Sequence, residues 1–228
     1  MDAPPALPGI RVCVFDAYGT LFDFNSAVAR HRDEIGPQAD RLSEMWRTKQ
    51  LSYTWLRSLM GAYAPFSQVT AEALDHCLAA CGVDKPGLRG RLMDAYRALS
   101  PFPEVVATLR ALKAAGMPTA ILSNGDPAML DAAVRSAGIA ELLDAVLSVD
   151  SIKVFKTDPR CYRLPTDRFG VAPREVCFLS SNCWDAHAGA HFGYRALWVN
   201  RAGAPDDNLP GEIAGQLSTL AGLPALVA

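Results

Sequence analysis

The sequence predicts an α/β protein: a Rossmann-like, mostly parallel sheet with an all-helical insertion after its first strand. Three observations predict this. An apolar run from Ile10 to Phe15 leads into an acid, Asp16, and a glycine-containing turn, the form of a buried strand that presents polar groups at its carboxyl end. The segment from Phe24 to Ser100 carries helical periodicity and no convincing strand. From Pro101 onward, short apolar runs alternate with amphipathic stretches, and strands separated by helices form parallel sheets with right-handed crossovers.

The elements follow in order. Ala39 to Tyr63 reads as a long helix, with Leu42, Met45, Trp46, Leu51, Trp55, Leu56, Leu59 and Met60 at helical spacing and Asp40 near its start. Thr70 to Ala80 and Leu88 to Leu99 are also helix-like. Pro101-Phe102-Pro103 marks a boundary. Glu104 to Ala115 is a helix closed by Gly116, and Pro118 to Leu122 a strand ending in Ser123-Asn124-Gly125. Ala128 to Ala137 is a helix, Leu143 to Val149 a strand, and Asp158 to Phe169 a helix closed by Gly170. Val176 to Leu179 is a strand ending in Ser180-Ser181-Asn182. Ala186 to Phe192 is a short helix and Tyr194 to Val199 the last clear strand. The tail from Ala202 to Ala228 reads as a loop with a final helix and a short strand. Residues 1–23 and 101–228 then make the core, and residues 24–100 a helical cap placed over the strands' carboxyl ends.

Composition narrows the function classes. Of 228 residues half are apolar and a fifth charged, with net charge −2, which favours neither nucleic acid nor an anionic membrane. The apolar runs are too short to span a bilayer. Met1-Asp2-Ala3-Pro4-Pro5 has no basic or apolar leader character, so no signal peptide is expected. None of the six cysteines makes a C-x2-C pair, and the chain reads as a reduced, cytoplasmic protein. Cys77 and Cys81 share a helix face, Cys13 and Cys177 lie in strands, and all four read as core. His31, His76, His187 and His191 form no obvious ligand cluster.

Polar residues gather at the strand ends. Asp16 and Thr20 follow the first strand, Ser123 and Asn124 the second, Lys153 and Lys156 the third, and Ser180, Asn182 and Asp185 the fourth. Taken singly, each reads as a turn residue, a helix cap or a solvated charge. Together they suit a nucleophilic carboxylate kept ionised by a lysine. Hydroxyls and amides stand ready for an anionic substrate, and Asn182 and Asp185 for a water.

The stretches Asp16-Ala17-Tyr18-Gly19-Thr20-Leu21-Phe22-Asp23, Leu122-Ser123-Asn124-Gly125, Val154-Phe155-Lys156 and Ser180-Ser181-Asn182-Cys183-Trp184-Asp185 resemble the haloacid dehalogenase superfamily and, more narrowly, its L-2-haloacid dehalogenases. Trp46 to Trp55 is similar to the family's cap segment with its arginine, here Arg47. The resemblance runs from about Val12 to Asn200. Tyr18 stands where the superfamily's phosphatases carry a second Asp. Halide is a weak base and needs no proton to depart, so a dehalogenase can omit that acid.

The resemblance implies that Asp16 attacks C2 of a short 2-haloalkanoate, with inversion, and that water then opens the aspartyl ester at its carbonyl. Arg47, with Asn124, would receive the halide. Thr20 and Ser123 would hold Asp16 or the substrate carboxylate, with backbone amides near Tyr18 and Asn124. Lys156 would charge and orient Asp16, and Ser180, Asn182 and Asp185 would hold the water. Tyr18, Leu51, Trp184 and Phe66 would wall the pocket, although Trp184 also reads as plain core. No metal and no other cofactor is expected, because Asp185 beside Lys156 makes a weak magnesium site.

Two departures from the family pattern stand out. Thr157 replaces the proline that commonly follows the lysine, and Cys183 replaces a small residue beside the water site, where it would narrow the pocket. By the same resemblance the chain is expected to be a homodimer through Trp55, Leu56, Leu59 and Met60. A superfamily phosphatase or phosphonatase, and a binding scaffold without catalysis, are the competing readings. Tyr18 opposes the first, and intact Asp16, Arg47, Lys156 and Asp185 oppose the second.

Overall fold

The computed structural model describes residues 4–227. Met1–Ala3, on which the leader expectation partly rests, and Ala228 lie outside the described residues. Strand β1 spans Val12–Phe15, and a two-residue strand β2 spans Phe22–Asp23. Five helices follow: α1 (Asn25–Ala29), α2 (Arg32–Ile35), α3 (Ala39–Met60), α4 (Phe66–Cys81) and α5 (Leu88–Arg97). Strand β3 (Ser100–Pro101) pairs antiparallel with β2, so a short ribbon joins the two ends of the helical segment. The remainder alternates: α6 (Val105–Ala114), β4 (Thr119–Ser123), α7 (Pro127–Ser136), β5 (Ala145–Ser148), α8 (Pro159–Phe169) and β6 (Val176–Ser180). It closes with α9 (Cys183–Phe192), β7 (Arg195–Val199), β8 (Gly215–Leu217) and α10 (Leu223–Leu226).

Six strands form one parallel sheet in the order β5-β4-β1-β6-β7-β8. From β1 the sheet grows one way through β4 and β5 and the other way through β6, β7 and β8. The chain therefore reverses direction beside β1, and the crevice at that reversal is where ligands bind in open α/β sheets. Register sets the site: Phe15 is level with Ile121 of β4 and Leu179 of β6, so the polar residues just beyond the three strands emerge together. All residues of β1, β4 and β6 are buried, which is why these strands read as continuous apolar runs instead of alternating ones.

Several boundaries differ from the sequence expectation, each for a local reason. Helix α3 stops at Met60 because Gly61 takes a left-handed φ of 65°. Helix α4 starts at Phe66 and not Thr70, since Pro65 in an extended conformation delivers the chain directly into it. Helix α9 starts at Cys183, three residues before the expected Ala186, because Asn182 already sits in the N-cap position. Helices α1 and α2 and the β2–β3 ribbon are too short to show periodicity. The buried face of α3 is Ala39, Leu42, Trp46, Gln50 and Thr54. Two of its five positions are polar, while Trp55, Leu56, Leu59 and Met60 are exposed.

Candidate active site

Asp16 lies one residue past β1 and is 6% exposed. Its Oδ1 accepts a hydrogen bond from the Lys156 ammonium at 3.1 Å, and its Oδ2 from Asn182 Nδ2 at 2.9 Å and Thr20 Oγ1 at 3.1 Å. Thr20 Oγ1 also accepts from the Ser181 backbone N–H at 2.8 Å, which ties the β1 turn to the β6 turn. Asn182 is an N-cap residue whose side chain makes no cap bond; that side chain serves Asp16 instead.

Lys156 is 1% exposed and lies between two carboxylates, with Asp185 Oδ2 at 2.7 Å. Burial pulls its pKa down, but Asp16 and Asp185 outweigh burial and the net shift is upward. The ammonium therefore persists across the physiological range. Fully buried Asp185 is also shifted upward, by burial first, with Lys156 opposing and Asp16 adding to it. Its Oδ1 accepts from the Tyr162 hydroxyl at 2.6 Å. The Lys156–Thr157 peptide bond is cis.

Arg47 joins the helical segment to the sheet. From α3 it donates to the Tyr18 carbonyl at 3.3 Å and to Asn182 Oδ1 at 3.2 Å. It also donates to Gln50 Oε1 at 2.9 Å and lies 5.0 Å over the Phe24 ring. Gln50 is held in turn by Tyr96 at 3.1 Å and by Thr70 at 2.6 Å. Asn124 Oδ1 accepts from the Lys156 backbone N–H at 2.9 Å, which turns its Nδ2 away from that bond. Ser123 and Ser180, both fully buried, accept from the backbone two residues on, at Gly125 and Asn182.

Ten residues enclose one small cavity: Asp16, Tyr18, Arg47, Leu51, Phe66, Ser123, Asn124, Lys156, Asn182 and Trp184. It offers about 10 Å³ to water centres, room for roughly one water molecule. Trp184 is a wall residue and not plain core; its ring meets Trp55 of α3 edge-on at 5.4 Å. Tyr18 stacks near Phe66 and Tyr96, burial holds its phenol well above the usual range, and its hydroxyl has no partner among the described residues. Larger surface clefts lie elsewhere, one of about 660 Å³ between α7 and β5.

Thr20, Ser180 and Asp185 stand outside the cavity lining: Thr20 steadies Asp16 directly, and Asp185 reaches Asp16 through Lys156. Cys183 does not narrow the pocket, because its side chain packs with Ala186, Trp198 and Ile213. Lys153 pairs with Asp150 at the surface, away from Asp16. Three residues were missed. Gln50 and Tyr162 have no sequence mark beyond a helix-face position. Arg201 donates to the Thr20 carbonyl at 2.9 Å and pairs with Glu104 at 2.7 Å; its only mark is a place just past β7.

Residues 10–193 match the family model of haloacid dehalogenase-like hydrolases. An (S)-2-haloacid dehalogenase of Pseudomonas sp. (strain CBS-3) is 50% identical over 219 residues, covering 96% of each chain. The crystal structure of a dehalogenase superposes with a TM-score of 0.95 at 45% identity, covering 97% of this chain and 98% of that one. The L-2-haloacid dehalogenase of Xanthobacter autotrophicus with covalently bound chloropropionic acid superposes with a TM-score of 0.87 at 36% identity, covering 95% and 98%. The chain belongs to the haloacid dehalogenase-like hydrolase family.

Proposed function

We propose that this enzyme hydrolyses short (S)-2-haloacids to (R)-2-hydroxyacids and halide through an ester on Asp16. The observation that carries the reading is a buried carboxylate, Asp16, sharing one small cavity with a cationic side chain, Arg47, while Tyr18 stands where a phosphatase would need its second acid. Relatives support the substrate class: the Pseudomonas protein is an (S)-2-haloacid dehalogenase, and the Xanthobacter protein holds chloropropionic acid covalently.

In the first step an Asp16 oxygen forms a bond to C2 as the carbon–halogen bond breaks on the opposite face. The halide leaves toward Arg47 and Asn124 Nδ2. Ser123 and Tyr18 receive the substrate carboxylate, and Leu51, Phe66 and Trp184 exclude water. Lys156, Thr20 and Asn182 hold Asp16 at a fixed angle. Esterification removes the Asp16 charge, and Asp185 becomes the sole anion beside Lys156. With Ser180 and Asn182, Asp185 takes a proton from the water that attacks the Asp16 carbonyl carbon. The ester oxygen leaves with C2 and takes the remaining water proton to become the hydroxyacid, Asp16 keeps the water's oxygen as a carboxylate, and the proton on Asp185 passes to solvent. One displacement at C2 gives one inversion.

Residues 24–100 act as a cap over the core formed by residues 1–23 and 101–228. Substrate admission requires this cap to lift, since the cavity has room for only about one water. Catalysis needs no metal: the Lys156 ammonium already supplies the positive charge beside Asp16 and Asp185. The apolar face of α3 buries against a second copy to form a homodimer. The enzyme works in the cytoplasm, a compartment that keeps buried thiols such as Cys13 and Cys177 reduced.

A halide-release panel over chloroacetate, bromoacetate and both enantiomers of 2-chloropropionate, with and without EDTA, tests this. Release is expected from both haloacetates and, of the two 2-chloropropionates, from the (S) enantiomer only, unchanged by EDTA and abolished in Asp16→Asn. Magnesium-dependent phosphatase turnover without halide release would reverse the assignment.

A further inference from the structure

The sequence places no histidine in a ligand cluster, yet the fold builds one beside the catalytic loop. Cys183 and His187 lie one turn apart on α9 and share a face. The loop after β7 brings Asp206 against them, so that the Cys183, His187 and Asp206 donor atoms all fall within 4.8 Å of one another. The loop is seated closely. Gly211 has φ of 110°, and a Cβ there would lie 2.2 Å from the His187 carbonyl oxygen, so only glycine permits this approach.

The His187 ring is poised as a ligand. Its Nδ1 faces the Gly211 carbonyl at 2.8 Å and its Nε2 faces Asp206 Oδ1 at 2.8 Å. Both nitrogens thus point at acceptors, and a neutral ring carries only one N–H. Placing that proton on Nδ1 satisfies Gly211 and leaves the Nε2 lone pair and a carboxylate oxygen aimed at each other. An imidazolium paired with Asp206 satisfies these contacts, and so does a cation held by Nε2 and the carboxylate together, for which an N–H donated to a backbone carbonyl is the usual support. Cys183 completes the set from the buried side, its Sγ accepting a long bond from the Asp207 N–H at 3.5 Å.

We propose that Cys183, His187 and Asp206 form a binding site for a zinc-type divalent cation, separate from the catalytic pocket. Thiolate, imidazole and carboxylate together favour zinc over magnesium or calcium. Water takes the fourth position on the side of Asp206, whose side chain is 46% exposed. Thiolate ligation releases the Sγ proton to solvent, so the cation binds more tightly as pH rises. Trp184 and Asp185 lie between the two α9 ligands, so an occupied site pins the loop after β7 against the turn that carries them.

The test titrates chelator-treated full-length enzyme with Zn²⁺ and, in parallel, with Co²⁺ as a visible reporter. One Zn²⁺ per chain is expected, with a rise in Tm that needs the metal and a thiolate-to-cobalt charge-transfer band. Cys183→Ala abolishes that band. Cys183→Ala and His187→Gln each weaken Zn²⁺ binding by about 100-fold or more, since even outer-shell changes cost about 10–100-fold. Asp206→Asn, on an exposed loop, gives the same weakening if an α9 variant fails to fold. Absence of saturable binding, cobalt binding without the thiolate band, or equal affinity in these variants overturns the proposal.

Discussion

At the residue scale, the enzyme's defining feature is one lysine held between two buried acids. Lys156 lies 3.1 Å from Asp16 and 2.7 Å from Asp185. Removing one partner of such a group strands uncompensated charge, at a cost of about 3–5 kcal/mol. Lys156→Met is therefore expected to lose halide release and to lower unfolding free energy by about that amount in urea titrations. The pH dependence has a definite sign. The folded pKa of Lys156 is raised above the ordinary lysine value of 10.5. The stability it supplies is fully present below 10.5 and disappears as pH climbs through the higher folded value. Wild-type stability should fall across that alkaline window, and Lys156→Met should lack this component; an equal alkaline loss in both would refute the assignment. Asp16, Lys156 and Asn182 were legible in sequence because strand-end position is a local property. Gln50 and Tyr162 were not: a buried polar residue on a helix looks like any polar residue until its partners, Arg47, Tyr96 and Asp185, are brought to it by the fold.

At the element scale, the junction between helical segment and sheet rests on another buried acid. Asp126 caps α7 by accepting from the Met129 N–H at 3.1 Å, and its second oxygen accepts from the Ser67 N–H at 2.8 Å in the first turn of α4. One carboxylate thus caps two helices, one in the sheet layer and one in the insertion. A single cap contributes about 1 kcal/mol. Asp126→Ala should lower stability by about 2 kcal/mol, seen calorimetrically as a fall in Tm of about 4–8 °C for a chain of this size. An unchanged Tm would show that the α4 contact carries no energy. Sequence periodicity located α3, α4 and α5 but misjudged where α4 begins. The helix start is fixed by Pro65 and by Asp126, sixty residues further along the chain, and pattern reading sees only the local part of that. It expected more apolar residues on α3 than one buried face needs, and Trp55, Leu56, Leu59 and Met60 are indeed exposed; that the polar Gln50 and Thr54 face inward was not legible.

At the scale of the whole molecule, that outward stripe calls for a partner. Leu59 is 86% and Met60 75% exposed, beside half-exposed Leu56. A contiguous apolar patch of this kind marks an interface more often than bare surface. Leu59→Glu with Met60→Glu should convert a dimer to a monomer in sedimentation at micromolar concentration and leave the fold intact; a wild-type monomer would remove the proposal. The sheet was legible at this scale because its central strands are buried on both faces and read as apolar runs. The cluster of Cys183, His187 and Asp206 was not, because Asp206 reaches α9 only through a loop whose path is set by Gly211.

The account turns on a covalent bond between Asp16 and the substrate's C2. Single-turnover hydrolysis in heavy-oxygen water tests it most directly. Because water attacks the Asp16 carbonyl, the isotope should appear first in the Asp16 carboxylate, read by mass spectrometry of the peptide that contains it, while the released hydroxyacid carries ordinary oxygen. Isotope in the hydroxyacid from the first turnover, with Asp16 unlabelled, would mean that water attacks C2 itself and would contradict the account.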